Sequence, residues 1–187
     1  MIKTAILLAD GFEEIEALTV VDVLRRAGII CDMTSIVEDK EVRGAHDIKV
    51  VADKNLDAID DSYQMVILPG GMPGATNLRD NEKVIELVQK FDRDENKFVA
   101  AICAAPIVLA KAGISTGRYV TSYPGFEEEF KDAHYEEDLV VVDGHLITAR
   151  GPATALAFAY AIVNSLGVDS QGLKDSMLYE MLLAQCR

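Results

Sequence analysis

Along the chain, short apolar runs of strand length alternate with longer segments whose apolar residues recur every three to four positions. The first kind fits fully buried strands and the second fits amphipathic helices. Their alternation is the pattern of a parallel sheet covered on both faces by crossover helices. Thr4–Ala9 reads as the first strand, followed by a helix from about Glu13 to Ala27 with Ile15, Leu18, Val21 and Leu24 on one face and Gly28 placed to end it. Ile29–Ile36, Gln64–Leu68 and Phe98–Ile102 read as further strands. A helix through Val84, Leu87, Val88 and Phe91 is capped by Asp80 or Asn81, and another runs from Ala104 to Ala112 with Gly113 at its end. Between Val42 and Ala52, the apolar Ile48, Val50 and Ala52 alternate with Asp47, Lys49 and Asp53, which predicts short, half-exposed antiparallel strands at an edge or interface. Beyond them come strands at Tyr119–Ser122, Leu139–Val142 and Leu146–Ala149, the last two joined by an Asp143-Gly144 turn. An apolar helix from about Ala153 to Leu166 and a last helix over Leu173–Ala184 complete the chain. No repeat or linker interrupts it, and 187 residues lie within the ~100–200 of an average domain, so residues 1–187 are expected to form one α/β domain.

Composition narrows the function. With 50% hydrophobic residues the chain is not disordered, and 31 acidic against 18 basic residues, a net charge of -13, argue against a binder that reads nucleic-acid phosphates. No run approaches the ~18–20 apolar residues of a membrane span, and Met1–Ala9 lacks the form of a signal peptide, so a cytoplasmic protein is expected. The charge is uneven: between Phe126 and Asp143, eight carboxylates face only Lys131, a net -7 of the total -13. That segment is either a docking patch for a basic partner or, as we read it, a solvated helix and turn.

Ligands of open α/β sheets bind beyond the carboxyl ends of the strands, and there the chain places Pro69-Gly70-Gly71, Cys103 with Pro106, Tyr123-Pro124-Gly125 and Arg150-Gly151-Pro152. The three cysteines are widely spaced with no CxxC, so neither a disulfide framework nor a cysteine zinc site is indicated. Cys103 stands out because a strand gives way there directly to a helix, among the small residues Ala101, Ala104 and Ala105, in the form of a nucleophile elbow. A helix terminus at that point would lower the thiol pKa, and its first N–H groups would hold an oxyanion. The plainer alternative is an ordinary buried thiol, which suits Cys31, while Cys186 near the C-terminus is read as incidental. Of Glu13, Glu14 and Glu16, two read as complements to the helix dipole. Glu16, one position from the apolar stripe, is placed to turn inward and to exchange a proton with the thiol.

Four motifs in order, Asp10-Gly11-Phe12-Glu13-Glu14-Ile15-Glu16, Ile67-Leu68-Pro69-Gly70-Gly71, Ala100-Ala101-Ile102-Cys103-Ala104-Ala105-Pro106 and Thr148-Ala149-Arg150-Gly151-Pro152-Ala153-Thr154, resemble those of the DJ-1/ThiJ/PfpI family over nearly the whole chain. The resemblance implies a flavodoxin-like three-layer sandwich with a small antiparallel hairpin, usually dimeric. It also implies a reactive cysteine hydrogen-bonded to a protonated glutamate, here Cys103 and Glu16, with an oxyanion pocket at Gly70, Gly71 and Ala104 and Arg150 near the site. The chain departs from the family in three places. The His that follows the cysteine in the intracellular protease branch is Ala104, a His that other relatives carry after the next strand is Tyr123, and the hairpin Arg that reaches the neighbouring subunit's pocket is His46. Tyr123 then stands as a hydroxyl donor. His134-Tyr135-Glu136 resembles the His-x-Glu of glutamine amidotransferases but lies in the acidic segment, and the flanking glycines of that cysteine motif are missing. No constellation suggests a metal or other cofactor. The expected activity is conversion of an α-oxoaldehyde such as methylglyoxal to lactate, or removal of its early adducts from glycated macromolecules. The competing expectation is a redox-responsive protective protein that senses oxidation at Cys103.

Overall fold

The computed structural model describes residues 1–185. In chain order the elements are β1 (Lys3–Leu8), α1 (Glu14–Arg26), β2 (Ile30–Ser35), β3 (Glu41–Arg43), β4 (Lys49–Val51), β5 (Lys54–Asn55), β6 (Met65–Leu68), α2 (Gly74–Arg79), α3 (Glu82–Asp92), β7 (Phe98–Ile102), α4 (Pro106–Ala112), β8 (Tyr119–Val120), β9 (His134–Tyr135), β10 (Val140–Asp143), β11 (Leu146–Ala149), α5 (Ala155–Ser165), α6 (Gln171–Ser176) and α7 (Tyr179–Gln185). One seven-stranded sheet has the order β10-β11-β7-β6-β1-β2-β5 and is parallel except for β10 against β11. From β1 the chain crosses outward to β2 through α1, then returns to β6 and moves the other way. Right-handed crossovers in opposite directions put helices on both faces. α1 packs with α5, and α2, α3 and α4 pack together, giving the flavodoxin-like three-layer sandwich. Residue 6 of β1 lies opposite both Met33 of β2 and Ile67 of β6, so the middle strand is walled on each side.

The central apolar runs, Thr4–Leu8 and Met65–Leu68, are strands because no position in them meets water. Ile6, Leu7, Leu8 and all of β6 are fully buried, each large aliphatic side chain contributing roughly 1.5–3 kcal/mol. α1 ends where Gly28 turns into the left-handed region at φ 73, and α4 ends likewise at Gly113 with φ 76. Asn81 is the cap of α3, its side chain accepting from the Lys83 and Val84 N–H groups.

Several elements differ from the sequence reading. Tyr119–Ser122 is not a strand of the main sheet: β8 holds two residues and pairs in parallel with β9, while the Thr121 N–H goes to Thr148 Oγ1 at 2.9 Å. The last helix is broken in two at Leu178, whose φ of 59 turns the chain so that Met177 and Tyr179 both reach Tyr160. α2 fills a stretch to which the sequence reading assigns no element. The hairpin of β3 and β4 is a separate two-stranded antiparallel sheet, with Val42 and Ala52 inward but Ile48 half-exposed. The acidic segment opens with a short 3-10 turn, Glu127–Phe130, pinned by buried Phe130 with its three carboxylates facing water, and continues through β9 into β10. Among the described residues no helix is long and apolar enough to cross a membrane, and Cys186 lies outside them.

Asn81→Ala removes the α3 cap and is expected to lower the unfolding free energy by about 1 kcal/mol, with Asn81→Asp retaining most of it. A urea titration of the three proteins checks this.

Candidate active site

Glu16, Gly70 and Cys103 come from different segments and close on one point beyond the carboxyl ends of β6 and β7. Glu16 is in the first turn of α1 and is fully buried. Its Oε2 accepts the Gly70 N–H at 2.8 Å. Gly70 leaves no space: a Cβ there would stand 2.6 Å from Glu16 Oε2, 2.7 Å from the Cys103 Cβ and 3.0 Å from the Ala104 nitrogen. Only glycine lets the thiol and the carboxyl share this corner.

Cys103 itself has φ 64, a left-handed backbone that costs a non-glycine residue about 1 kcal/mol. Its neighbours hold it there. The Cys103 N–H donates to Ala149 O at 2.9 Å, and the Tyr123 N–H donates to Cys103 O at 2.8 Å. This is the strained strand-to-helix elbow read from the sequence, and it leaves the residue 9% exposed. The backbone N–H groups of Ala104 and Gly71 favour the ionised form of its sulfur, the kind of donor an oxyanion site uses. Gly71 is held by close packing, since a Cβ on it would collide with Glu13 N and Gly11 O.

The electrostatics differ from the expectation of a thiol lowered by a helix terminus. α4 begins at Pro106 and is seven residues long, so its dipole is short and starts beyond Ala104 and Ala105. Burial pushes the Cys103 thiol up, the negative charge of Glu16 and its hydrogen bond push it further, and the Ala104 and Gly71 N–H groups only partly offset them. Burial likewise pushes Glu16 up to about 7, against the pull of Cys103 and the Gly70 N–H and with help from the charge of Glu13. Glu16 Oε1 is enclosed without a well-aligned partner, so the thiol faces the carboxyl without yet making an ideal hydrogen bond. The pair gives up its first proton near neutrality and holds the second, because two charges in so dry a site repel. Once singly ionised, it can carry its remaining proton on sulfur or on oxygen, and the two forms differ only by a transfer across the contact.

Of the remaining candidates, Tyr123 is a backbone partner of Cys103 and Arg150 adjoins another. Arg150 follows β11, beside the residue that accepts the Cys103 N–H; its Nη1 is buried without a hydrogen-bond partner, and its charge is felt by Glu127. Tyr123 lies with its ring over Gly151, where a Cβ would stand 3.2 Å from the ring, and is about half exposed. Its link to the site is the backbone bond to Cys103. His46, expected as a group reaching a neighbouring pocket, is bound within its own chain: its backbone N–H and its Nδ1 each lie 2.8 Å from the carboxylate oxygens of Glu14. Glu14, read as a surface complement to the helix dipole, is only 5% exposed. Its inward turn has no sequence signal, because its partner lies 32 positions away. Glu13, Glu14 and His46 bring three ligating atoms within 4.8 Å, but both oxygens of Glu14 are taken by His46, so the group is a hydrogen-bonded cluster. His134 stacks on Tyr119, and His145 bonds to Asp92 at the amino end of β11, both away from Cys103. Cys31 is buried in β2 and pushed up to about 12 by that burial, which suits an inert thiol. A cavity of about 350 Å³ lined by Leu8, Asp10, Val42 and Asn77 does not include Cys103.

A thiol lifted on a strained elbow of a flavodoxin-like sheet, set against a buried carboxyl and two backbone donors, defines a cysteine-elbow protein of the α/β class. A model described as the DJ-1/PfpI family matches residues 2–165. The chain belongs to the DJ-1/PfpI family. It is 37% identical over 170 residues to Protein dj-1beta of Drosophila melanogaster, covering 89% of this chain and 90% of that protein. It is 38% identical over 169 residues to Protein DJ-1 homolog B of Arabidopsis thaliana, covering 89% of this chain but 38% of that longer protein. Among solved structures, Drosophila melanogaster DJ-1beta superposes with a TM-score of 0.90 at 35% identity, covering 95% of this chain and 97% of that one. An oxidized Toxoplasma gondii DJ-1 has a TM-score of 0.90 at 32% identity, covering 95% and 98% of the two chains.

The raised pKa of Glu16 has a stability consequence. A carboxyl raised in the folded state favours folding while it is protonated and loses that advantage as pH rises from its unfolded value of 4.5 through about 7. Glu16→Gln, which keeps an acceptor for Gly70, is therefore expected to gain up to about 3 kcal/mol on the wild type between pH 4.5 and pH 8. Urea unfolding at several pH values checks this, and parallel stability curves for the two proteins would contradict it.

Proposed function

We propose that the chain is a cysteine-dependent enzyme that converts small α-oxoaldehydes to hydroxy acids, methylglyoxal to lactate being the simplest case. The observation that carries this reading is the Cys103 elbow packed with the buried Glu16 carboxyl around the Gly70 corner, next to Gly71 and Ala104. As sulfur attacks the aldehyde carbon, Glu16 takes the thiol proton, and the two backbone donors hold the new oxyanion of the hemithioacetal. Glu16 returns that proton to the oxyanion and then, as the carboxylate, moves a proton from the former aldehyde carbon to its neighbour while the hydroxyl proton passes to the neighbouring oxygen, leaving a thioester of lactate. Water cleaves that thioester, releasing lactate and restoring the thiol. The sum is methylglyoxal plus water to lactate, with no external oxidant or reductant. Early adducts of such aldehydes on proteins or nucleotides present the same carbons, but the enclosure of Cys103 favours the free aldehyde. Exposed Ile15, Ile48, Val51 and Met72, on the first turn of α1, the hairpin and the loop after β6, support pairing of two copies on that side.

A second reading is favoured by one finding: a relative sharing this fold is described in an oxidized form. An enclosed thiol beside Glu16 would hold a sulfinic acid by the same hydrogen bonds, making the chain a redox-responsive protective protein.

Wild type is expected to form lactate from methylglyoxal, Cys103→Ser to form none above buffer, and Glu16→Gln to lose at least about 100-fold in kcat. Lactate is measured by an enzymatic assay. Absence of turnover in the wild type, together with selective oxidation of Cys103 by peroxide, would leave the redox reading standing and the enzyme reading refuted.

A further inference from the structure

We propose that His46 is a positioning residue for the Cys103 site, acting by latching the loop between β3 and β4 onto the first turn of α1 through Glu14. The latch is tight. Both Glu14 oxygens are used by His46, at 2.8 Å each, and a Cβ on Gly44 would collide with the Glu14 carboxyl. Three more bonds run alongside it: Gly11 N–H to Arg43 O at 2.7 Å, Ala45 N–H to Phe12 O at 2.8 Å, and Arg43 N–H to Asp10 Oδ1 at 2.8 Å.

The residues gripped in this way are the ones that support the site from behind. The Glu13 N–H donates to Gly70 O at 2.9 Å, and Gly71 is pressed against Gly11, Phe12 and Glu13. Gly70 in turn gives its N–H to Glu16 at 2.8 Å, and the Gly71 N–H favours the ionised Cys103 sulfur. Hairpin loop, Gly11–Glu14, the Gly70-Gly71 turn and the thiol–carboxyl pair thus form one chain of close contacts. Slack at the loop end moves the donors at the other end.

Besides the Cys103–Glu16 pair, His46 is a titratable member of this chain of contacts. The charged groups that face it are Glu13, whose Oε1 lies 3.7 Å from Nδ1, and Glu14, both on α1. On the hairpin, Arg43 and Asp47 pair with each other at 3.0 Å, and Asp10 precedes α1. The hydrogen bond to Glu14, then the charges of Glu13 and Glu14, raise the His46 pKa. Burial works against ionised Glu14, but its bonds from His46 prevail and hold it below the usual range. The charge-assisted latch is therefore complete below the ordinary histidine pKa of about 6.5 and weakens as pH rises through the raised value, where a neutral ring N–H remains to donate.

The test reads Cys103 directly: the pH midpoint of its alkylation by iodoacetamide, followed by mass on the Cys103 peptide of the whole protein. The inference rests on Cys103 being the reactive thiol and not on aldehyde turnover, so an absence of lactate formation leaves this measurement decisive. His46→Ala releases the Gly70 and Gly71 donors that favour the ionised pair, and the midpoint is expected to rise by about 0.5–1 in pH. His46→Asn, whose side-chain N–H can replace the Nδ1 donor without titrating, is expected to restore it. If His46→Ala does not fold, Glu14→Gln is expected to raise the midpoint in the same direction. An unmoved or lowered midpoint, or a failure of Asn to restore it, overturns the proposal.

Discussion

The Glu16 carboxyl is shut off from water, and the architecture around it follows from that constraint. A buried carboxyl needs hydrogen-bonding partners or it must stay protonated. Here it has one backbone donor, Gly70, and one thiol, and both must approach within contact distance. That approach makes Gly70 obligatory, brings the ends of β6 and β7 against α1, and forces Cys103 into a backbone conformation that other residues avoid.

The energetic logic of the site is thus one of proton sharing rather than of a strongly lowered thiol. A short helix beginning two residues beyond Ala104 contributes little, while burial acts on both members of the pair at once. Such a pair is poised near neutrality because removing its second proton is costly, and each backbone donor that favours ionised sulfur tips the balance toward the reactive form. The proposed aldehyde chemistry draws on this: addition to a carbonyl asks for a nucleophile, a place for the proton it sheds and donors for the oxyanion, all within a few ångströms.

Much of this was legible from the residues. Ala101, Ala104, Ala105 and Pro106 around Cys103 announce an elbow because only small side chains permit the tight turn, and the apolar runs announce parallel strands because most of their positions are buried on both faces of the sheet. Glu16 was separable from its neighbours by one position relative to the apolar stripe of α1. Glu14 was not: its burial depends on a hairpin whose own position is set by tertiary contacts, and the pairing with His46 spans two elements with no shared period. The break at Leu178 was hidden for a similar reason, since it serves Tyr160, a residue of a different helix. The elbow was visible and the thiol's pKa was not, because position along a helix follows from sequence whereas desolvation depends on everything packed around it.

The residues that build the site each follow a different strand: Glu16 after β1, Gly70 after β6, Cys103 after β7 and Arg150 after β11, four neighbours in the sheet. None of the distances among them exists until those strands lie side by side in parallel, the slowest kind of pairing for a chain to complete. A nascent or partly unfolded chain therefore carries an ordinary cysteine in place of the coupled pair. On the proposed reading, the reactivity of Cys103 serves as a certificate of completed folding, and the chemistry is withheld from every species that has not reached the native topology.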